Sequence, residues 1–218
     1  MHPETPTLQG RHIRLEPLAL HHADALVAAA TGDPILYRWS PVPQAKPAAT
    51  AYIETALAWR DAGTAVSFAV VLAENARTEN GHADSNQVIG STRFFNLERW
   101  AWPETHPEHN RRPVDACEIG YTWYSPTAIR TAANTEAKLL LLTHAFETWQ
   151  VLRVCLHTDV RNTRSRAAIE RIGGKLEGIL RSHRLAADLI PRDSARYSIL
   201  PAEWPEVKRR LQERPERP

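Results

Sequence analysis

Little in this chain is extreme, and each shortage excludes a class of protein. Two cysteines, Cys117 and Cys155, serve 218 residues. They lack zinc spacing, and both read as reduced, buried thiols in apolar strands rather than as a disulfide or a catalytic group. No apolar run approaches the ~20 residues that a membrane span needs, and "MHPETPTLQGRHIRL" has no apolar signal core. The expectation is a cytoplasmic protein without a membrane partner. Charge of either sign is scarce in net terms. The 27 basic and 25 acidic side chains leave +2, and basic–aromatic repeats are missing, so a nucleic-acid module is disfavoured. No Gly-rich loop leading to Lys-Ser/Thr follows a strand, which disfavours a nucleotide hydrolase. Internal repeats and low-complexity tracts are absent too.

What is present is ordinary globular material. Hydrophobic content is 43% and charged content 24%, enough for a sizeable core. The first nine residues read as a loose tail, and 10–218 as one domain. "RHIRLEPL" alternates like a strand, "HHADALVAAAT" and "AATAYIETALAWRDAG" are helical, and the stretch between those two helices is a proline-rich loop. "SFAVVLA" and "QVIGSTRFFNLE" form a hairpin across the polar turn region "ENARTENGHADSN". "CEIGYTWY" is a strand, and 134–150 carries a helical pattern that buries Leu139, Leu140, Leu142, Phe146 and Trp149. "RVCLHTDV" is a strand, "NTRSRAAIERIGG" a helix, "KLEGILRSH" and "SARYSIL" strands, and "PAEWPEVKRRLQER" a final helix. The central strand–helix–strand unit demands two parallel neighbours, while the hairpins demand antiparallel ones. The fold class is therefore α/β, a mixed sheet flanked by helices.

The stretch "PTAIRTAANTEAKLLLLTHAF" poses the functional question. A helix directly after a strand exposes first-turn N–H groups that attract phosphate, provided that the residues ahead of it are small. Thr131, Ala132, Ala133 and Asn134 meet that condition. Asn134 is also a candidate cap and Glu136 suits the helix dipole, so an ordinary capped core helix explains the same residues.

Taken together, "EIGYTWYSP", "NTEAKLLLLTHAFE" and "RVCLHTDVRNTRSRAAIERIGGKLEGILRSH" resemble the GCN5-related N-acetyltransferase superfamily. The closer likeness is to its branch of RimJ- and RimL-type ribosomal-protein acetyltransferases. The resemblance runs from about Gly10 to Leu211. It implies that the strands Glu118–Tyr124 and Arg153–Val160 splay apart and hold acetyl-CoA between them. Backbone groups near Tyr121, Thr122 and Trp123 would pair with the pantetheine arm, and one N–H near Thr122 or Trp123 would face the oxyanion. The pyrophosphate would rest on Arg130, Thr131, Ala132, Ala133, Asn134 and Thr135, with Asn162 and Ser165 near the cofactor arm.

The chain departs from the family pattern twice. Ile129, Ala132 and Asn134 stand where the phosphate loop usually has Gln or Arg and two glycines. Ile169 stands where many members carry a Tyr that acts as acid to the thiolate, which leaves Ser165, water or unaided departure. Amine attack needs a base, and Glu118, beside the proposed cofactor and out of step with a core pattern, is the candidate. A carboxylate paired with an Arg at a strand edge is the plain alternative. Trp39, Trp100, Trp102 and His183 are candidates for the acceptor wall. One of Arg161, Arg164 and Arg166 could meet the cofactor's 3′-phosphate. His106 and His109 have no matching ligand set, so no metal is expected. The implied activity is acetyl transfer from acetyl-CoA to a primary amine, either a protein N-terminus or a small molecule. A non-catalytic acyl-CoA sensor is the competing reading, and a homodimer is common among relatives.

Overall fold

The computed structural model describes residues 5–32, 34–73, 77–78, 81–82, 86–186 and 188–213. Chain order is β1 (Leu8–Gln9), β2 (Ile13–Pro17), α1 (Ala23–Ala29), α2 (Lys46–Asp61), β3 (Ala65–Leu72), β4 (Arg77–Thr78), β5 (Gly81–His82), β6 (Val88–Glu98), β7 (Ala116–Tyr124), α3 (Ala133–Thr143), β8 (Arg153–Asp159), α4 (Thr163–Arg171), β9 (Lys175–Leu185), β10 (Pro191–Ile199) and α5 (Trp204–Gln212).

Eight strands form one sheet in the order β1-β2-β3-β6-β7-β8-β10-β9. Every pairing is antiparallel except β7 with β8. That parallel pair is short. Ala116, Cys117 and Glu118 face Arg153, Val154 and Cys155, and there the ladder stops. Beyond Glu118 the two strands have no register, so the sheet forks.

Strand alternation assigns the faces. Phe68, Phe94, Ile119, Leu156 and Tyr197 pack with α3, α4 and α5 into the larger core. Ala69, Val71, Val88 and Trp123 turn the other way and meet Leu26 of α1 and Ile53 of α2. A bulge re-aims β7 at the fork. Arg93 faces Gly120 and Ser91 faces Trp123, so two residues, Tyr121 and Thr122, oppose Thr92 alone, and Tyr121 takes φ 51°. Gly120 has no side chain because the Phe95 ring covers it; a Cβ there would lie 2.7 Å from that ring.

Several expectations change. The chain joins the sheet at Leu8, where Leu8–Gln9 pairs with Arg14–Leu15, so the loose tail is shorter than nine residues. Glu136 holds this turn down by accepting the N–H groups of Arg11, His12 and Ile13 at 2.6, 2.9 and 2.9 Å. The polar region 74–85 contains the two-residue pair β4–β5, and its other residues lie outside the described ones. Asn134 does not cap α3. The helix begins one residue earlier, and Thr131 Oγ1 takes the Ala133 N–H at 3.2 Å instead. α3 buries Ala137, Lys138, Leu141 and Leu142, leaving Leu139 and Leu140 half-buried, then widens into one π turn over His144–Thr148. Both cysteines are free and buried.

Candidate active site

The fork opens into a cavity of about 1220 Å³, large enough for a cofactor-sized ligand together with a second substrate. Its walls come from both inner edges of the fork, the start of α3, the start of α4, the 36–41 loop and the β9–β10 hairpin. Of the residues expected to hold cofactor, Tyr121, Thr122, Trp123, Arg130, Thr131, Ala132, Asn134, Thr135, Asn162 and Ser165 all line it. Ala133 does not; it is buried beneath the first turn of α3.

Two local motifs shape this wall. Arg130 adopts φ 70°, which turns the chain sharply into α3, and Thr131 Oγ1 donates to the Ala128 carbonyl at 2.8 Å. Asn162 caps α4, its Oδ1 accepting the Ser165 N–H at 3.0 Å. Arg164 lines the same region. Arg161, by contrast, is committed to Asp159 and Asp188, and Arg166 to Tyr197. Small residues at a helix start, flanked by two cations, suit a pyrophosphate. The apolar inner walls at Ile119, Leu156 and Ile169 suit an extended thioester arm. The residues present therefore fit coenzyme A.

The fork floor carries a buried polar cluster. Glu118 is 3% exposed and is not part of the cavity wall. Its Oε2 lies 2.6 Å from His157 Nδ1 and its Oε1 lies 3.4 Å from Arg196 Nη2. Burial would raise this carboxyl. The hydrogen bonds from His157 and Asn96 and the Arg196 charge outweigh that effect and hold it below its ordinary value. His157 does line the cavity, and its ring stands 5.8 Å from Phe95 and 5.3 Å from His183. A carboxylate only accepts, so His157 donates to Glu118 from Nδ1. Sequence reasoning missed His157. The available signal was its phase in "RVCLHTDV", two residues beyond Cys155, the partner of Glu118.

Lys138 was also missed. It is 6% exposed, lines the cavity, and donates from Nζ to Thr122 Oγ1 at 2.9 Å. Thr122 Oγ1 lies in turn 2.8 Å from Thr92 Oγ1. Burial pushes the Lys138 ammonium down to about 7.

The acceptor-wall expectations divide. Trp39 lines the cavity, with the Arg38 and Arg161 guanidinium groups each 4.7 Å from its ring. His183 sits behind His157 rather than on the wall, and its Nδ1 is buried without a partner. Trp100 and Trp102 leave the site altogether. Their indole N–H groups donate to Glu98 and Asp115 at 3.1 and 2.9 Å, and Arg112 joins Asp115 at 3.1 Å. These bonds fold the 99–115 loop back on its own strand ends, away from the cavity mouth. His106 stacks on Trp102, and His109 Nδ1 meets the Trp102 carbonyl.

Comparison with known proteins agrees with this geometry. Residues 12–175 match the family model described as an acetyltransferase (GNAT) domain, and the chain belongs to that family. A putative acetyltransferase from T. thermophilus is 33% identical with a TM-score of 0.73, the alignment covering 97% of this chain and 98% of that one. A GCN5-related N-acetyltransferase from Brucella melitensis is 27% identical with a TM-score of 0.77, over 97% of this chain and 86% of that one. A Bacillus subtilis (strain 168) protein named "Putative ribosomal N-acetyltransferase YdaF" is 37% identical over 97 residues. That match covers 44% of this chain and about half, 52%, of the curated relative.

Proposed function

We propose that the chain is an acetyl-CoA-dependent N-acetyltransferase that transfers acetyl to a primary amine by direct attack. The observation that carries this reading is the parting of β7 and β8 after Glu118, with the first turn of α3 on one rim of the resulting cavity and His157 on its floor. Acetyl-CoA supplies an activated thioester: as the N–C bond forms the C–S bond breaks, one amine proton passes to a base, and the sulfur leaves as thiolate.

The chain's own residues then have distinct tasks. Arg130, Thr131, Ala132, Asn134 and Thr135 bind the pyrophosphate, and Ala133 keeps the turn close-packed beneath them. Backbone groups at Tyr121, Thr122 and Trp123 pair with the extended arm, which Asn162 and Ser165 border. Glu118 acts through His157. It fixes the tautomer and stabilises the imidazolium that forms when Nε2 takes the amine proton, a division of labour suited to a carboxylate that is itself out of the cavity. Ser165, which lines the wall near Ile169, is the candidate to meet the thiolate in place of a Tyr. The name of the Bacillus subtilis relative favours a protein N-terminal α-amine over a small-molecule amine as acceptor.

Thiol release from acetyl-CoA, followed with peptide N-termini, polyamines and amino acids, tests the assignment. Release with one amine class, suppressed in both Glu118→Gln and His157→Gln, is the expected result. Acetyl-CoA binding without release on any amine would favour a sensor, and no binding would remove the cofactor cradle.

A further inference from the structure

The end of the cavity formed by the β9–β10 hairpin has an unusual charge arrangement. Arg184 and Arg192 both line it and face each other directly in the antiparallel register. Like charges at opposed positions destabilise a strand pair unless something compensates. Among the described residues neither Arg184 nor Arg192 makes an ion pair. Asp159 and Asp188 are both held by Arg161, at 2.7 and 3.0 Å, and Asp193, next to Arg192, accepts the Ser182 N–H at 2.8 Å. Nε of Arg184 and Nε of Arg192 are each buried without a hydrogen-bond partner. Burial also pulls the Arg192 guanidinium below its ordinary value; Asp159 opposes the shift, and the charges of Arg184 and Arg161 add to it. The chain as a whole is almost neutral, so this concentration is local.

The pair lies on the face of the sheet opposite the phosphate rim. Phe94 meets Trp149, just beyond α3, with ring centroids 4.7 Å apart. Phe95, the next residue, points the other way to Tyr121 at 5.2 Å, His157 at 5.8 Å and the Arg184 guanidinium at 5.7 Å. Arg130 and Arg164, at the helix starts, are the cations placed for cofactor phosphates. Arg184 instead shares the Phe95 ring with His157, and Arg192 is its cross-strand neighbour.

Resting on the acetyl-transfer reading above, we propose that Arg184 and Arg192 form an anion clamp for the acceptor, so that the preferred substrate is a primary amine bearing a carboxylate close by. The carboxylate can belong to a free amino acid or to an acidic residue at a peptide N-terminus. Guanidinium groups bind it through paired charge-assisted hydrogen bonds, and this holds the amine toward His157 Nε2.

The test compares acceptors matched in everything but charge: glutamate against its amides, and an Asp-led peptide against its Asn-led counterpart. Carboxylate acceptors should exceed the neutral ones by about tenfold or more in kcat/KM, mainly through KM. Which of the two matched sets shows the contrast identifies the source of the carboxylate. Arg184→Gln and Arg192→Gln should each erode the preference, and the double variant should abolish it while the KM for acetyl-CoA stays unchanged. Equal use of neutral acceptors, or a preference surviving in the double variant, overturns the clamp. Calorimetric titration of N-acetyl-aspartate and its diamide into protein saturated with CoA reads the same contrast without turnover. Equal binding of the two, or binding of neither, also overturns it. A separate titration with acetyl-CoA shows whether the transferase reading itself has failed.

Discussion

Lys138 provides a test of the fork's electrostatics that needs no substrate. Its ammonium is buried on the inner face of α3, with Thr122 Oγ1 as its hydrogen-bond partner, and burial lowers it from 10.5 to about 7. Lys138→Met removes the ionisable group while keeping an unbranched side chain of similar length. Thr92 and Thr122 remain hydrogen-bonded to each other at 2.8 Å, so no hydroxyl is orphaned. Above pH 7 the folded chain lacks a proton that the unfolded chain retains up to about pH 10. Unfolding then takes up a proton, and raising the pH disfavours it. The stabilisation is complete above the unfolded value and is lost as pH falls through 7.

Each pH unit within that window adds about 1.4 kcal/mol to the wild type relative to the variant. Between pH 6 and pH 9 the integrated change is about 3 kcal/mol. Urea unfolding of both proteins at several pH values measures it. The variant should hold its largest advantage at pH 6, and the gap should close by that amount at pH 9, with equal m-values. A gap independent of pH would mean that Lys138 titrates normally, and that the fork is wetter than its burial indicates. A gap that widens with pH would refute the argument's sign.

Three further outcomes follow from geometry. Glu118→Gln should lower kcat by at least about tenfold with little change in the KM for acetyl-CoA, and should move the acidic limb of the pH–rate profile, where the base takes up its proton; a purely structural role would leave that limb in place. Combined with His157→Gln, it should add little further loss, because the two act as one unit. Gly90→Ala should lower the unfolding free energy read by urea by about 1–3 kcal/mol or prevent folding, because a methyl there collides with the backbone carbonyl of Trp123; an unchanged stability would contradict the β6–β7 register. Glu136→Ala should cost roughly 2 kcal/mol in the same assay, since it strips the shared acceptor from three N–H groups in the β1–β2 turn.

The parts of this structure legible in the sequence are those governed by local pattern. The hairpin of β3 and β6, the β7–α3–β8 unit and the cap at Asn162 each arise from periodicity or from one residue's hydrogen-bonding habit. The errors sit where pattern is silent. Four consecutive leucines, 139–142, have no phase, so the buried pair had to come from the tertiary packing: Leu141 is covered, and Leu139 and Leu140 are not. Lys138 shares its face with Ala137 and Leu141, but an apolar pattern does not extend to a charged residue. Trp100 and Trp102 looked like pocket aromatics, yet their N–H groups find Glu98 at the end of β6 and Asp115 at the end of the loop. His157 could not be joined to Glu118 from sequence, because the register of a parallel pair is set by contacts 39 residues apart along the chain.

The fork explains why polar groups gather at this depth. Where β7 and β8 stop pairing at Glu118 and Cys155, their inner edges no longer meet each other's N–H and C=O groups, although each strand still pairs on its outer side. A sheet interior cannot leave such edges dry without a large penalty, so the opening must admit water or an extended ligand carrying amides of its own. Burying Glu118 with His157 and Arg196 at the vertex sets the depth of that opening. A larger apolar cluster there would invite the strands to close, whereas a paired charge tolerates partial wetting. The feature that weakens the sheet locally is therefore the one that creates the open edge, and the Glu118–His157 pair stands at the point where that edge begins.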